Sequence, residues 1–513
     1  MKNTVILLLF VIIKIVLQFF LIDPGYDLHR DEYLHLDQAH HLAWGYLSVP
    51  PVTSWFSYLI WLLGNDVFWV RFFPALFGAL TIVVVWHIIK ELKGGYYAQI
   101  LAATALTFSA LARINLLFQP NSFDILAWTF VCFALIKHIS TQQNRWLYVM
   151  SVGFAIGFLN KYNIVFLVAG IVPALLFTRN SRILANGHII GATLLALLTI
   201  SPNLYWQYDN YWPVLHHMKE LNETQLINAD RGGFIKEQLL FFIGTFYLVP
   251  AALIGFLAYI PFKKYRVFFV SFFIVLGIFI WFKAKGYYAL GLYPVYIGFG
   301  SVYLEELLQT GKKRFIKPVL VILAIALFIP IATVAFPIYS PKEISTISAR
   351  YKKLELSRWE DDKLHDLPQD FADMQGWRAI ALMAENAYHK VDTNNNTLVL
   401  CDNYGQAGAI NYYSTDPNIQ AVTMNADYVN WIDLNKKYAN VILVQEASDD
   451  DPEREKEKPL FESVTRYGKL NNPLARENGT SIYILKGAKV DIRPLLKADI
   501  TDEKNRWKGF ETK

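Results

Sequence analysis

Residues 23–54 read DPGYDLHRDEYLHLDQAHHLAWGYLSVPPVTS, and they follow directly on an apolar run, residues 5–22, that is long enough to cross a bilayer. The stretch contains four histidines and a group of acidic residues that includes Asp27, Asp31, Glu32 and Asp37. Charged side chains held at a membrane boundary lose hydration energy unless they have partners or a function. We therefore predict that Asp31 and Glu32 form the chemical centre of a membrane enzyme.

The rest of the chain is dominated by long apolar blocks. Of its 513 residues, 54% are hydrophobic and 18% are charged, whereas a soluble protein carries about 25% charged residues. A block of roughly 20 residues crosses the hydrocarbon core. The blocks predict about eleven spans: 5–22, 68–89, 96–111, 123–139, 146–159, 164–177, 183–200, 239–260, 267–282, 288–304 and 319–336. The predicted fold class is a polytopic α-helical membrane protein, with residues 53–63 lying in the interface.

Basic residues predict how the spans are oriented. They recur in alternate loops, at Lys90, Lys93, Lys137, Arg145, Arg179, Arg182, Lys263, Lys264, Arg266, Lys312, Lys313, Arg314 and Lys317. Because basic loops stay in the cytoplasm, the N-terminus is expected inside and the C-terminal tail outside the cytoplasmic (inner) membrane. The outer side then receives the segments 23–66, 113–122, 160–162, 201–237 and 283–288. These segments hold acidic residues and basic residues that the orientation rule does not explain. We expect a functional site where they meet.

The tail from about Pro341 has a different composition. Its charge rises, and short strand-like runs occur at 397–401, 440–445 and 481–486, with a helical pattern at 370–389. Strands that alternate with helices indicate a small α/β domain. Residues 449–458, DDDPEREKEK, are expected to form a solvated loop. We therefore predict a transmembrane catalytic domain, 1–340, and an extracytoplasmic domain, 341–513.

Two acidic positions have the chemistry of a candidate active site. Asp31, His35 and Gln38 are spaced for one helix face, and a carboxylate there could deprotonate a hydroxyl or hold a cation. Alternatively, Asp31 pairs with Arg30 or His35 and only caps a helix. Asp124, just after Pro120, either complements a helix dipole or faces Asp31 across a pocket.

Several basic residues on the predicted outer side run against the orientation rule. Lys161, Lys283 and Lys285 either reach to lipid headgroups or hold an anionic ligand such as a phosphate. Tyr288 belongs either to an interfacial aromatic belt or to this site. Together with Arg113, these are the residues that we assign to phosphate binding.

Metal and nucleotide sites lack support in the sequence. The chain has two cysteines, Cys132 and Cys401, and neither HExxH nor a Walker motif is present. His40 and His41 are adjacent and point in different directions on a helix, so hydrogen-bonded histidines are favoured over metal ligands. Any cofactor is unknown, a divalent cation remains possible in principle, and nucleic acid is not an expected partner.

The order of several motifs resembles a known family, the protein O-mannosyltransferase-like glycosyltransferases of the GT-C fold, which include the aminoarabinose transferases acting on lipid A. The motifs are HLAWGY and PP at 41–51, FQPNSFDILAW at 118–128, GFLNKYN at 157–163, KAKGYYALGLYPVY at 283–296, and DMQGW and CDNYGQAGAINYY at 373–413. The chain departs from the family at Val49, where a histidine is usual, and at Asn121, where an acid is usual.

The resemblance implies a reaction. The donor would be a sugar carried on a polyprenyl phosphate, and the acceptor a hydroxyl of a glycolipid, glycan or protein at the outer face of the membrane. Asp31 would be the general base, Asp124 the second acid, and Lys161 and Lys285 would hold the donor phosphate. The sugar would invert by direct displacement. The alternatives are transfer of a larger lipid-linked glycan to protein, and a transporter, although the two related halves typical of transporters are not visible.

Overall fold

The computed structural model describes residues 2–224, 230–391 and 396–508, and the predicted loop 201–237 and the predicted tail each include some residues outside these ranges. Residues up to 335 form a helical bundle. Its helices are α1 (Lys2–Phe20), α2 (Arg30–Asp37), α3 (Val52–Leu62), α4 (Val67–Glu91), α5 (Tyr96–Thr107), α6 (Leu111–Ile114), α7 (Pro120–Thr141), α8 (Arg145–Phe158), α9 (Val165–Leu176), α10 (Gly187–Asp209), α11 (Pro213–Thr224), α12 (Arg231–Leu240), α13 (Leu248–Ala258), α14 (Arg266–Trp281), α15 (Tyr293–Leu307) and α16 (Ile316–Ala335).

Within the described residues, six helical segments are long and apolar enough to cross a membrane: 3–20, 67–91, 120–141, 187–209, 260–281 and 311–335. Shorter apolar helices, among them α8 and α13, lie between them. The predicted class, a polytopic helical membrane protein, is confirmed. The number of spans stays a prediction.

The largest differences between the helices and the apolar blocks occur at two places. The block 239–260 is divided, because α12 ends at Leu240 and α13 begins at Leu248. In this break a side chain at Gly244 would lie 3.1 Å from the carbonyl oxygen of Ala324, so the glycine permits close packing against α16. Helix α10 continues past Pro202 to Asp209. The carbonyl of Leu198, which lacks a partner because proline has no N–H, accepts a 2.8 Å bond from the Ser201 hydroxyl.

Helix α1 faces outward along most of its length, but two polar side chains, Lys14 and Gln18, point into the bundle and are each 1% exposed. Gly78 of α4 makes room for the lysine, since a Cβ at that position would lie 2.8 Å from Lys14 Cε. Neither the Lys14 ammonium nor the Gln18 amide has a hydrogen-bond partner among the described residues.

The tail forms a five-stranded sheet with helices, as predicted for a small α/β domain. The strands are β1 (Thr397–Cys401), β2 (Ala421–Thr423), β3 (Asn440–Gln445), β4 (Phe461–Lys469) and β5 (Ser481–Ala488), in the order β2-β1-β3-β5-β4. Strand β1 pairs in parallel with β2 and β3, whereas β5 pairs antiparallel with β3 and β4. The tail helices are α17 (Pro341–Thr346), α18 (Ser348–Lys353), α19 (Gln369–Ala372), α20 (Trp377–Val391), α21 (Tyr404–Tyr413) and α22 (Arg493–Lys508).

Three details of the tail depart from the sequence prediction. Strands β2 and β4 were not predicted, because β2 has only three residues and β4 is an edge strand with mostly exposed side chains. The helix expected at 370–389 is divided at Gly376, which has a left-handed φ of +89°. In the loop 449–458, Arg454 is buried and contacts Asp449 and Glu457 rather than solvent.

The stretch 23–54 lies between the bundle and the sheet. Helix α2 packs on α21, and Tyr33 shares an apolar core with Trp377 and Ile410. Polar contacts fix the same interface: the Tyr428 hydroxyl donates to Asp37 at 2.6 Å, and the Leu47 amide donates to Asp427 at 2.7 Å. Burial raises the pKa of Asp37 to about 7 and that of Asp427 to about 6. The sheet is therefore held against the acid-rich stretch.

Candidate active site

Helix α2 begins with a reciprocal cap that orients the acidic pair. The His29 imidazole accepts a 3.2 Å bond from the Asp31 amide, while Glu32 Oε2 accepts a 2.7 Å bond from the His29 amide. The other oxygen of Glu32 accepts a 2.7 Å bond from the Phe118 amide, just before α7. Glu32 is fully buried. Both of its oxygens are occupied by backbone amides, so its contacts are those of a residue that ties α2 to α7.

The Asp31 side chain is 37% exposed and is held from two directions. Its Oδ1 accepts a 2.7 Å bond from the Tyr404 hydroxyl, and its Oδ2 accepts a 3.0 Å bond from Gln119 Nε2. Burial raises the pKa of this carboxyl, but the charges of His29 and Arg30 and the bonded hydroxyl hold it below its usual range. Asp31 is therefore an ionised carboxylate that a substrate can reach.

Lys161 follows α8 in a short turn that faces Tyr287 and Tyr288. Its ammonium donates a 2.6 Å bond to Asn121 Oδ1 and lies 4.8 Å from the Tyr288 ring centre and 5.4 Å from that of Tyr287. Burial lowers the pKa of Lys161, the charge of Asp124 opposes that change, and Lys285 adds to it. The charges of Asp124 and Lys285 therefore lie close enough to Lys161 to change its pKa.

Asp124 lies in the first turns of α7 and is 4% exposed. Its two oxygens accept 3.0 Å bonds from Trp128 Nε1 and Asn163 Nδ2. The same Asn163 amide donates to the Tyr288 carbonyl at 3.0 Å. Asp124 therefore supports the turn that carries Tyr288.

The remaining predicted phosphate ligands occupy different surroundings. Lys285 lines a cavity of about 700 Å³ between α12, the turn at 283–288 and residues 355–370. Lys283 is exposed and has a left-handed φ of +50°. Arg113 donates a 3.2 Å bond to Asp370, another residue of the cavity wall, and its Nη1 is buried without a hydrogen-bond partner among the described residues.

No group of three or more histidine, cysteine or acidic side chains suited to a metal ion occurs in residues 2–224, 230–391 and 396–508. The histidines make other contacts. His41 stacks on Trp431 with ring centres 4.1 Å apart, and His35 lies 3.4 Å from Gln38 Oε1.

Three polar residues at the site were not assigned to it from the sequence: Gln119, Tyr404, and Asn121, which was noted only as a departure from the family. Tyr404 is 373 positions from its partner Asp31, so no local pattern connects them. Gln119 and Asn121 flank Pro120 at the start of α7, where amides are usual in a turn. The one available signal was the unusual amide of Asn121 at a position where the resembling family has an acid.

Part of the chain matches known proteins in sequence. Residues 48–206 match the model of a family described as dolichyl-phosphate-mannose-protein mannosyltransferase. Lipid A galacturonosyltransferase RgtD of Rhizobium johnstonii is 28% identical over 217 residues, which are 40% of this chain and 44% of that protein. The match therefore spans less than half the length of this curated relative.

Solved structures match over almost the whole chain. ArnT from Cupriavidus metallidurans bound to undecaprenyl phosphate has a TM-score of 0.61 and 13% identity, covering 93% of this chain and 97% of that chain. Its apo state has a TM-score of 0.58 and 13% identity, covering 94% and 98%. At this identity the likeness to ArnT establishes the fold alone.

The structure has the fold of the solved ArnT structures, and the resemblance to GT-C glycosyltransferases that the motifs predicted is confirmed. Within the class, the chain is similar to ArnT in fold and to RgtD in part of its sequence.

Proposed function

We propose that this protein is an integral membrane glycosyltransferase that moves a sugar from a polyprenyl-phosphate donor to an acceptor hydroxyl. The observation that carries the proposal is the partly exposed Asp31 carboxylate, held by Tyr404 and Gln119 at the same end of the bundle as Lys161. A depressed carboxyl pKa keeps this base ionised at neutral pH, as removal of a proton from a hydroxyl requires.

The chemistry is a single displacement. The acceptor hydroxyl gives its proton to Asp31, and its oxygen forms a bond to the anomeric carbon of the sugar. The bond between that carbon and the phosphate oxygen breaks, and the electron pair leaves with the polyprenyl phosphate. Because attack and departure occur on opposite sides, the anomeric centre inverts. The phosphate is a good leaving group, so a base, positive charge and positioning suffice.

Positive charge for the departing phosphate comes from Lys161 and from Lys285, whose charge lowers the pKa of Lys161. Arg113, with an N–H group left over from its bond to Asp370, contributes at the cavity wall, and exposed Lys283 contributes from the rim. Tyr288 lies beside the Lys161 ammonium and shapes its position.

Two acids are assigned supporting parts. Glu32 positions Asp31, because it closes the cap of α2 and binds the Phe118 amide. Asp124 positions Tyr288 through Asn163. These assignments replace direct proton transfer for both residues, since Glu32 and Asp124 are buried, whereas the Asp31 side chain is 37% exposed.

The relatives suggest the substrates. The ArnT structure contains undecaprenyl phosphate, so we propose undecaprenyl phosphate as the lipid of the donor. RgtD carries lipid A in its name, so lipid A is the first acceptor to test, ahead of another glycan or a protein. The basic loops support an outward-facing site, with a transmembrane domain of residues 1–340 and an extracytoplasmic domain of residues 341–513.

The test compares envelope glycolipids, by mass spectrometry, from cells expressing the wild type, Asp31→Asn or Asp66→Asn. Asp66 is the matched control, because it lies in the same outer loop, is exposed and makes no capping bond. We expect one added sugar on lipid A with the wild type and the control, and a loss of product of about 10²-fold or more with Asp31→Asn.

Undecaprenyl phosphate should still bind to purified Asp31→Asn. Full product from this variant would refute base catalysis. A product heavier by a whole glycan, attached to protein, would support the alternative transfer reaction instead.

A further inference from the structure

A continuous chain of side-chain hydrogen bonds connects Asp31 to Lys161. The Lys161 ammonium donates to Asn121 Oδ1 at 2.6 Å, and Asn121 Nδ2 donates to Gln119 Oε1 at 3.0 Å. Gln119 Nε2 then donates to Asp31 Oδ2 at 3.0 Å. The four residues come from three separate parts of the sequence: the stretch 23–54, the segment at the start of α7, and the turn after α8.

Every bond in the chain runs in the same direction, from the cation to the anion. An amide has donors at its nitrogen and an acceptor at its oxygen, so the charged ends determine how both amides are turned. Hydrogen bonds aligned in this way polarise one another, and the effect is larger in surroundings of low dielectric. Pro120 lies between the two amides and restricts the backbone that carries them.

Building on the proposed function, we infer that Gln119 and Asn121 are positioning residues that couple donor binding at Lys161 to the basicity of Asp31. In the free enzyme the ammonium is partly engaged by the chain, and its charge stabilises the carboxylate. When a lipid phosphate takes the ammonium, the chain loses its cationic end. The Asp31 carboxylate then becomes a stronger base only after the donor is in place.

This coupling has a practical advantage for a transferase at a water interface. A base that became stronger before the donor was bound would deprotonate the acceptor when no sugar was present to be transferred. Asn121 is suited to the task because it accepts from Lys161 while it donates to Gln119, and an ionised aspartate has no donor for the second bond.

A double-mutant cycle measured by binding tests the inference on the purified full-length protein, with undecaprenyl phosphate in detergent micelles as the probe. The affinity is measured for the wild type and for Asp31→Asn. Both measurements are repeated with the chain of hydrogen bonds interrupted at Asn121 by Asn121→Leu, or at Gln119 by Gln119→Met. Ser122→Ala is the matched control, because Ser122 bonds Asn115 and the Pro74 carbonyl and stands outside the chain.

When the chain of hydrogen bonds is intact, we expect Asp31→Asn to tighten phosphate binding, because the Lys161 ammonium is then no longer attracted by a carboxylate. Cutting the chain at either link should reduce that gain by at least about threefold, leaving only the direct repulsion between carboxylate and phosphate. The Ser122→Ala background should retain the full gain. Agreement between the two cuts guards against a folding defect in one of them.

The outcomes separate the two proposals. If the wild type binds undecaprenyl phosphate and Lys161→Ala weakens it, but Asp31→Asn has the same effect in every background, the coupling is refuted and the donor site stands. If the wild type does not bind the lipid, or Lys161→Ala has no effect on it, the proposed donor site itself is refuted.

Discussion

The role of Asp31 as a base can be tested most directly by removing the Tyr404 hydroxyl, which donates a hydrogen bond to it. Tyr404→Phe removes the 2.7 Å bond to Oδ1 and keeps the aromatic ring, over which the Arg30 guanidinium lies 4.7 Å from the centre. The neighbouring charge and the packing are therefore retained. Only one donor to the carboxylate is lost.

The expected magnitude follows from the bond. A hydrogen bond to a charged group contributes about 1.5–3 kcal/mol, and one pKa unit corresponds to 1.36 kcal/mol. The Asp31 side chain is 37% exposed, so water replaces part of the lost bond. We therefore expect the loss of this bond to raise the pKa of Asp31, by about one unit.

The assay is the initial rate of sugar transfer by membranes containing each variant, measured from about pH 4 to 7. Because the base must be ionised, the acid limb of the rate should lie at a higher pH for Tyr404→Phe than for the wild type. The two rates should match near neutrality.

Tyr413→Phe is the matched control. The Tyr413 hydroxyl also contacts a residue of α2, since it lies 3.1 Å from the Tyr33 hydroxyl, but it makes no bond to Asp31. If both variants shift the acid limb equally, or if Tyr404→Phe lowers the rate at every pH without moving the limb, Asp31 is not the base that titrates.

Three further predictions concern stability, each read as the apparent unfolding temperature of the purified protein in detergent. Glu32→Gln should destabilise by about 1–3 kcal/mol, because one backbone amide then meets an NH₂ group; an unchanged temperature would contradict the capping role. Asp37 has a pKa raised to about 7, so the folded state holds its proton more tightly and stability should fall from about pH 4 to 7; Asp37→Asn should flatten this slope. Lys14→Met should raise the unfolding temperature by removing a buried ammonium that has no partner among the described residues, whereas a decrease would indicate an unseen partner.

Much of the fold was predictable, because long apolar blocks report directly on lipid contact. The same rule missed the break in 239–260, since hydropathy records composition and not the close approach of Gly244 to Ala324. It also ended α10 too early, because the Ser201 hydroxyl that compensates Pro202 is visible only in three dimensions.

The site was predictable only in part. Asp31 and Lys161 stood out because charge at a membrane boundary is costly. Tyr404 did not, because its contact with Asp31 depends on the sheet domain docking on α2. Nor could the sequence distinguish a buried acid from a partly exposed one. Glu32 and Asp124 have the same carboxyl chemistry as Asp31, and only the structure shows that they are buried while Asp31 is partly exposed.

The lysine in α1 has a consequence for how the protein is assembled during synthesis. A lysine at the centre of a helix opposes insertion by about 2.5–3.5 kcal/mol, which offsets the contribution of roughly five to ten leucine or isoleucine side chains. Lys14 packs against Gly78 of α4, which is translated later. The free energy that favours insertion of α1 into the bilayer is therefore reduced, and packing against α4, which is made later, helps to retain it there. Substituting Gly78 with a larger residue would be expected to show itself first as degradation of newly made chains.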